Sequence, residues 1–193
     1  MSLIKNLLQN KSQDQTVFTA TEVSQILNIS NKDQLYSALK YATQKKDILR
    51  ITRGIYALDS NYSRLELGNK LRKPSYISLY TTLQESGVVF QPYSSIYLIS
   101  NRSETVEVGS QKYIYRKLKD EILLNPLGLI EEKSTIKATP ERALCDKIYL
   151  DGDEHFDNLR TIHWDLMEKL NHKIYGNHGG IISFISKYKN AST

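Results

Sequence analysis

The chain has 193 residues, 40% hydrophobic and 24% charged, which is enough apolar material for a buried core and argues against wholesale disorder. No window approaches the roughly 18 consecutive apolar residues of a membrane span, and the N-terminal stretch lacks the long apolar run of a secretory signal. The only cysteine, Cys145, excludes an intrachain disulfide or a thiolate metal cage, so a cytoplasmic location is expected.

The formal net charge is +5. Residues 1–60 hold 8 Lys/Arg against 5 Asp/Glu, whereas residues 136–193 hold 8 of each, so the basic excess lies toward the N-terminus. Leu3, Ile4, Leu7 and Leu8 recur at helical spacing and predict a short first helix. Thr19-Ala20-Thr21-Glu22 is a capping box that opens a second helix with Val23, Ile26 and Leu27 on its buried stripe. Ser30-Asn31-Lys32-Asp33 reads as another box, starting a longer helix with Leu35, Ala38, Leu39 and Ala42 on one face. The period then becomes strand-like: Ile48–Thr52 and Ile55–Leu58 flank Arg53-Gly54, a tight-hairpin turn. Three helices followed by a hairpin make a winged helix, expected over residues 1–60. The outward face of its third helix carries Gln34, Ser37, Lys40, Tyr41 and Gln44, with Lys45 at the end and Arg50 and Arg53 on the hairpin. Side chains of these types bond phosphates and base edges from a major-groove helix. Lys40, Lys45, Arg50 and Arg53 are the expected phosphate contacts, and Gln34, Ser37, Tyr41 and Gln44 the expected base contacts.

A joint is expected at Asn61–Arg64, followed by a short helical stretch through Leu65, Leu67 and Leu71. Lys70, Arg72 and Lys73 form a basic knot that suits either a solvated helix end or a phosphate contact. Ser78–Gly87 reads as a helix stopped by glycine. Ile96–Ile99, Thr105–Val108 and Lys112–Arg116 read as strands, the last two joined by a Gly109-Ser110 turn, and Leu129-Ile130 with Thr135-Ile136 supply a further strand. Thr139-Pro140-Glu141 starts a helix with a cap, a proline and an acid in its first turn. Helical stripes follow at Leu159–Leu170 and Ile181–Tyr188. The expectation for residues 61–193 is a mixed α+β domain with a small antiparallel sheet and C-terminal helices.

His155, His163, His172 and His178 show no metal spacing, and Asp151–Glu154 lacks the rest of a calcium loop, so neither metal nor cofactor is expected. Cys145 falls on the apolar side of a capped helix, the place of a small buried hydrophobe. Gly109-Ser110 followed by Asp120-Glu121 matches, in letters, the nucleotidyltransferase pattern in which Gly-Ser holds a triphosphate and carboxylates hold metals. That chemistry needs a helix directly after Gly-Ser, whereas Lys112–Arg116 alternates like a strand, so no catalysis is expected.

Taken in order, Phe18–Val23, Arg53–Tyr56, Tyr76–Gln84 and Thr139–Asp146 resemble the AbiEi family, antitoxins and transcriptional regulators of bacterial type IV toxin–antitoxin systems. The likeness covers about residues 15–150, with the last stretch the most specific. It implies an N-terminal winged helix that binds double-stranded DNA at repeated sites in its own promoter, and a C-terminal antitoxin domain. The functional partner it implies is a nucleotidyltransferase-like toxin. Arg142, the polar member of the most specific motif, is expected on the surface in an antitoxin or inter-domain contact, paired with Asp146 one turn on. The competing readings are a winged-helix protein-interaction module that touches no DNA, and a nucleotidyltransferase using Gly109, Ser110, Asp120 and Glu121.

Overall fold

The computed structural model describes residues 3–189, with side chains from residue 7 onward, so the stripe positions Leu3 and Ile4 lie outside the described side chains. The chain divides into two compact units between Leu71 and Arg72.

The first unit holds α1 (Leu3–Asn10), β1 (Val17–Thr19), α2 (Ala20–Leu27), α3 (Lys32–Gln44), β2 (Leu49–Thr52), β3 (Ile55–Ala57) and α4 (Arg64–Leu71). Thr19 caps α2 as expected: its hydroxyl accepts from the Glu22 amide at 3.2 Å, and the Glu22 carboxylate accepts from the Thr19 amide at 2.9 Å. Asn28 ends α2 in the left-handed conformation, and the Ile29 amide folds back to the Ser24 carbonyl at 3.0 Å. The cap of α3 is Asn31 rather than Ser30. Its Oδ1 accepts from the Gln34 amide at 3.0 Å, because the helix begins one residue later than the Ser30 box requires. The strands form an antiparallel sheet in the order β1-β3-β2, and β1, only three residues long, carries too few alternations to read from sequence. Leu7, Phe18, Val23, Leu35, Leu39, Ala42, Ile48 and Tyr56 make the core of this unit.

Helix α4 belongs to this unit, so the division expected after residue 60 falls instead at Leu71. The cause is a buried carboxylate. Glu66 Oε2 accepts from the Thr16 amide at 2.9 Å, the Thr16 hydroxyl at 2.6 Å and the Val17 amide at 3.1 Å. Lys70 completes the clamp, paired with Glu66 and Glu22 at 2.9 Å each and donating to the Val17 carbonyl. Lys70 is therefore an internal strut, not a solvated helix end.

The second unit holds β4 (Ser75–Ile77), α5 (Leu79–Glu85), β5 (Ile96–Ser100), β6 (Glu104–Val108), β7 (Gln111–Lys117), α6 (Asp120–Leu123), β8 (Leu129–Glu132), β9 (Thr135–Ala138), α7 (Pro140–Asp151), α8 (Trp164–Lys173) and α9 (Gly179–Lys189). The fold class is α+β with C-terminal helices. The sheet is larger than expected and mixed: six strands in the order β6-β7-β5-β4-β9-β8, with β5/β7 and β4/β9 parallel and the other three pairings antiparallel. Leu129-Ile130 and Thr135-Ile136 lie on two paired strands rather than one. Helix α8 starts only at Trp164, so Leu159 and Ile162 pack from the preceding loop.

Helix α7 runs through the core, capped by Thr139 with Pro140 at its first position, and its residues Glu141–Ile148 are all buried. Arg142 is accordingly not a surface residue: its side chain is 0% exposed. Its guanidinium donates to the carbonyls of Leu127 (2.7 Å) and Ile122 (2.6 Å) and to the Tyr76 hydroxyl (3.2 Å). Nε lies 3.6 Å from Asp146 Oδ1, so the expected partner is present as an ion pair rather than a hydrogen bond. Asp146, equally buried, also accepts from Tyr175 at 2.6 Å, Ser78 at 2.7 Å and Tyr76 at 3.1 Å. Burial raises its carboxyl above the ordinary range, and the Arg142 charge and these hydroxyls oppose the rise. Gly128 permits this packing, because a Cβ there would sit 3.0 Å from Leu170 Cδ2 and 3.1 Å from Arg142 Cβ.

Candidate nucleic-acid interface

Helix α3 buries Leu35, Leu39 and Ala42, and this fixes which of its side chains reach solvent. Gln34, Ser37, Lys40, Tyr41, Gln44 and Lys45 are all exposed, as are Arg50 on β2 and Arg53 in the β2–β3 turn. Gly54 holds that turn with a φ of +75°, and its carbonyl accepts from the Ala20 amide at 2.8 Å, which ties the hairpin tip to the start of α2. Arg50 pairs in register with Tyr56 on β3.

Between α3 and the hairpin runs a groove of about 630 Å³ lined by Tyr36, Lys40, Thr43, Gln44, Arg50, Arg53, Gly54 and Tyr56. It brings together four of the sequence-derived residues: Lys40, Gln44, Arg50 and Arg53. Gln34, Ser37, Tyr41 and Lys45 do not line it. They follow one another at three- and four-residue spacing on an adjacent stripe of α3, where Lys45 Nζ sits 5.7 Å from the centre of the Tyr41 ring.

Three cations line the groove and no carboxylate does. Among the described residues none of the three makes an ion pair. Burial pushes the Tyr56 phenol above its ordinary value while the Arg50 guanidinium opposes the shift, so this wall presents an O–H donor at neutral pH. Sequence reading missed Tyr36, Thr43 and Tyr56 as wall residues. The signal for Tyr36 was its place four residues before Lys40 and eight before Gln44.

In the second unit Gly109-Ser110 joins antiparallel β6 and β7, with Gly109 at a φ of +59°. The helix that a triphosphate-binding Gly-Ser requires is replaced there by strand. Asp120 and Glu121 form the exposed first turn of the four-residue α6. Among the described residues no group of three His, Cys, Asp or Glu side chains is placed to hold a metal ion. Cys145 is buried, and burial pushes its thiol well above the ordinary value. No helix of the described residues is long and apolar enough to cross a membrane. In comparisons with known proteins, no family model and no curated protein matches this chain.

Proposed function

We propose that the first unit is a winged helix that binds double-stranded DNA, with α3 as its major-groove helix and the β2–β3 hairpin as its wing, and that the chain is a transcriptional regulator and antitoxin of the AbiEi kind. One observation carries the DNA reading: Lys40, Arg50 and Arg53 line one groove in which no carboxylate offsets their charge. Unpaired cations on a concave surface attract a polyanion, and neutralising phosphates releases counterions from the duplex. Gln, Ser and Tyr side chains on the neighbouring stripe supply the donors and acceptors that base edges require. The antitoxin half rests on the resemblance of Thr139–Asp146 and Tyr76–Gln84 to that family.

The test is a mobility-shift assay of the full chain on duplex DNA from upstream of its own coding region, beside a scrambled duplex. The reading expects a shift at lower protein concentration on the native sequence, and growth rescue when the chain is co-expressed with a nucleotidyltransferase-like toxin encoded beside it. Failure to shift any duplex at low salt contradicts the DNA half and favours a protein-interaction module. Metal-dependent nucleotidyl transfer lost on replacing Asp120 and Glu121 with Ala contradicts the non-catalytic half.

A further inference from the structure

The exposed side chains of α3 fall on two stripes of different character. Tyr36, Lys40, Thr43 and Gln44 face the hairpin across the groove, and Gln34, Ser37, Tyr41 and Lys45 stand outside it. Every groove-lining cation is on the first side, shared between α3 and the hairpin. Resting on the DNA reading above, we infer that the groove seats one phosphodiester strand of the duplex, with phosphates on Lys40, Arg50 and Arg53 and Tyr36 in contact with the strand, while Gln34, Ser37 and Tyr41 face the bases.

The size of the groove supports a strand over a single anion. About 630 Å³ lies in the middle of the range of sites that enclose whole organic ligands. Its shape is open where the strand must come close: Gly54 lines the groove, and a Cβ built there would meet nothing within 4 Å. The chemistry is that of a sugar–phosphate backbone rather than of inorganic phosphate, because two tyrosines share the walls with the three cations. Tyr36 is 52% exposed although it is large and aromatic, so the core does not require it. Its ring offers a face for deoxyribose or a base, and its hydroxyl is a donor for a phosphate oxygen. The acid nearest in sequence, Asp33 in the first turn of α3, does not line the groove.

Fluorescence anisotropy of the full chain on the native and scrambled duplexes across a salt series tests the inference, with Tyr36→Ala, Tyr36→Phe and Tyr41→Ala. Tyr36→Ala is expected to weaken binding to both duplexes alike by about ten-fold, the scale of one hydrogen bond to a charged group, and to leave the log–log salt slope unchanged because no charge is removed. Tyr36→Phe keeps the ring and is expected to fall between Tyr36→Ala and the parent, a measurement that stands even if the alanine variant folds poorly. Tyr41→Ala is expected to weaken the native duplex only. Unchanged binding in both Tyr36 variants, with the parent still binding duplex, overturns the inference and leaves the DNA reading intact. Loss confined to the native duplex makes Tyr36 a base reader and overturns the two-stripe division. A parent chain that binds no duplex contradicts the DNA reading itself.

Discussion

In the second unit Arg72 bonds Glu104, Arg116 bonds Asp151 at 2.7 Å, Lys147 bridges Asp151 and Glu154, and Arg142 is sealed among carbonyls, tyrosines and Asp146. In the first unit Lys40, Arg50 and Arg53 surround a groove without a carboxylate. Both regions hold positive charge, with opposite physical meanings. A paired and buried cation has its energy committed to the fold, and losing it leaves an uncompensated charge in a low-dielectric interior. An unpaired exposed cation contributes little to stability and keeps its field available to a partner. Charge arrangement thus separates a structural arginine from a binding one where residue type does not.

The contrast breaks most sharply at Arg142. Arg142→Ala is expected to cost about 3–5 kcal/mol in urea unfolding, because Asp146 stays buried without its cation. Lys40→Ala, Arg50→Ala and Arg53→Ala should each stay within about 0.5 kcal/mol of the parent. A cost at Arg53 comparable to that at Arg142 would erase the distinction.

A second and smaller effect is expected at Gly128, whose φ of +76° and two close neighbours leave no room for a methyl group. Gly128→Ala should lower stability by about 1–3 kcal/mol through strain at the Arg142 and Leu170 contacts, read as a lower urea midpoint. Gly109→Ala has the same left-handed backbone but open space, and should cost less. Equal costs would show that packing around Arg142 is loose.

The smallest effect concerns Glu104, whose bond to Arg72 holds its carboxyl below the ordinary value of 4.5. A depressed folded-state value means stability that is fully present above the unfolded value and is lost as pH falls through the folded one. Glu104→Gln should therefore flatten the acid limb of the stability curve below about pH 4.5, the pH at which an ordinary glutamate begins to protonate, and leave the shape above it unchanged. An identical acid limb in both proteins would show that the pair contributes nothing.

Local features of this chain were legible in its residues. The Thr19 box, the Arg53-Gly54 and Gly109-Ser110 turns and the Thr139-Pro140 helix start each involve neighbours within four positions, and all four stand where the sequence puts them. What depends on distant partners was not legible. Glu66 draws α4 into the first unit through contacts with Thr16 some fifty residues earlier. The parallel pairings of β5 with β7 and β4 with β9 cannot be told from antiparallel ones by alternation alone. Arg142 looked like a surface residue because a charged side chain is buried only when distant groups satisfy it, here the carbonyls of Ile122 and Leu127. The groove was half legible: the cations were found by type, but Tyr36 is placed by the angle at which the hairpin returns toward α3.

The central claim is that the groove's charge is reserved for a polyanion. The direct measurement is the salt dependence of binding to the native duplex, for the parent and for the triple variant Lys40→Ala, Arg50→Ala, Arg53→Ala, with circular dichroism to establish that both are folded. Each phosphate contact contributes about 0.9 to the log–log slope, so the triple variant should lose about 3 units of it together with most of its affinity. A folded triple variant with the parent's slope and affinity would contradict the account.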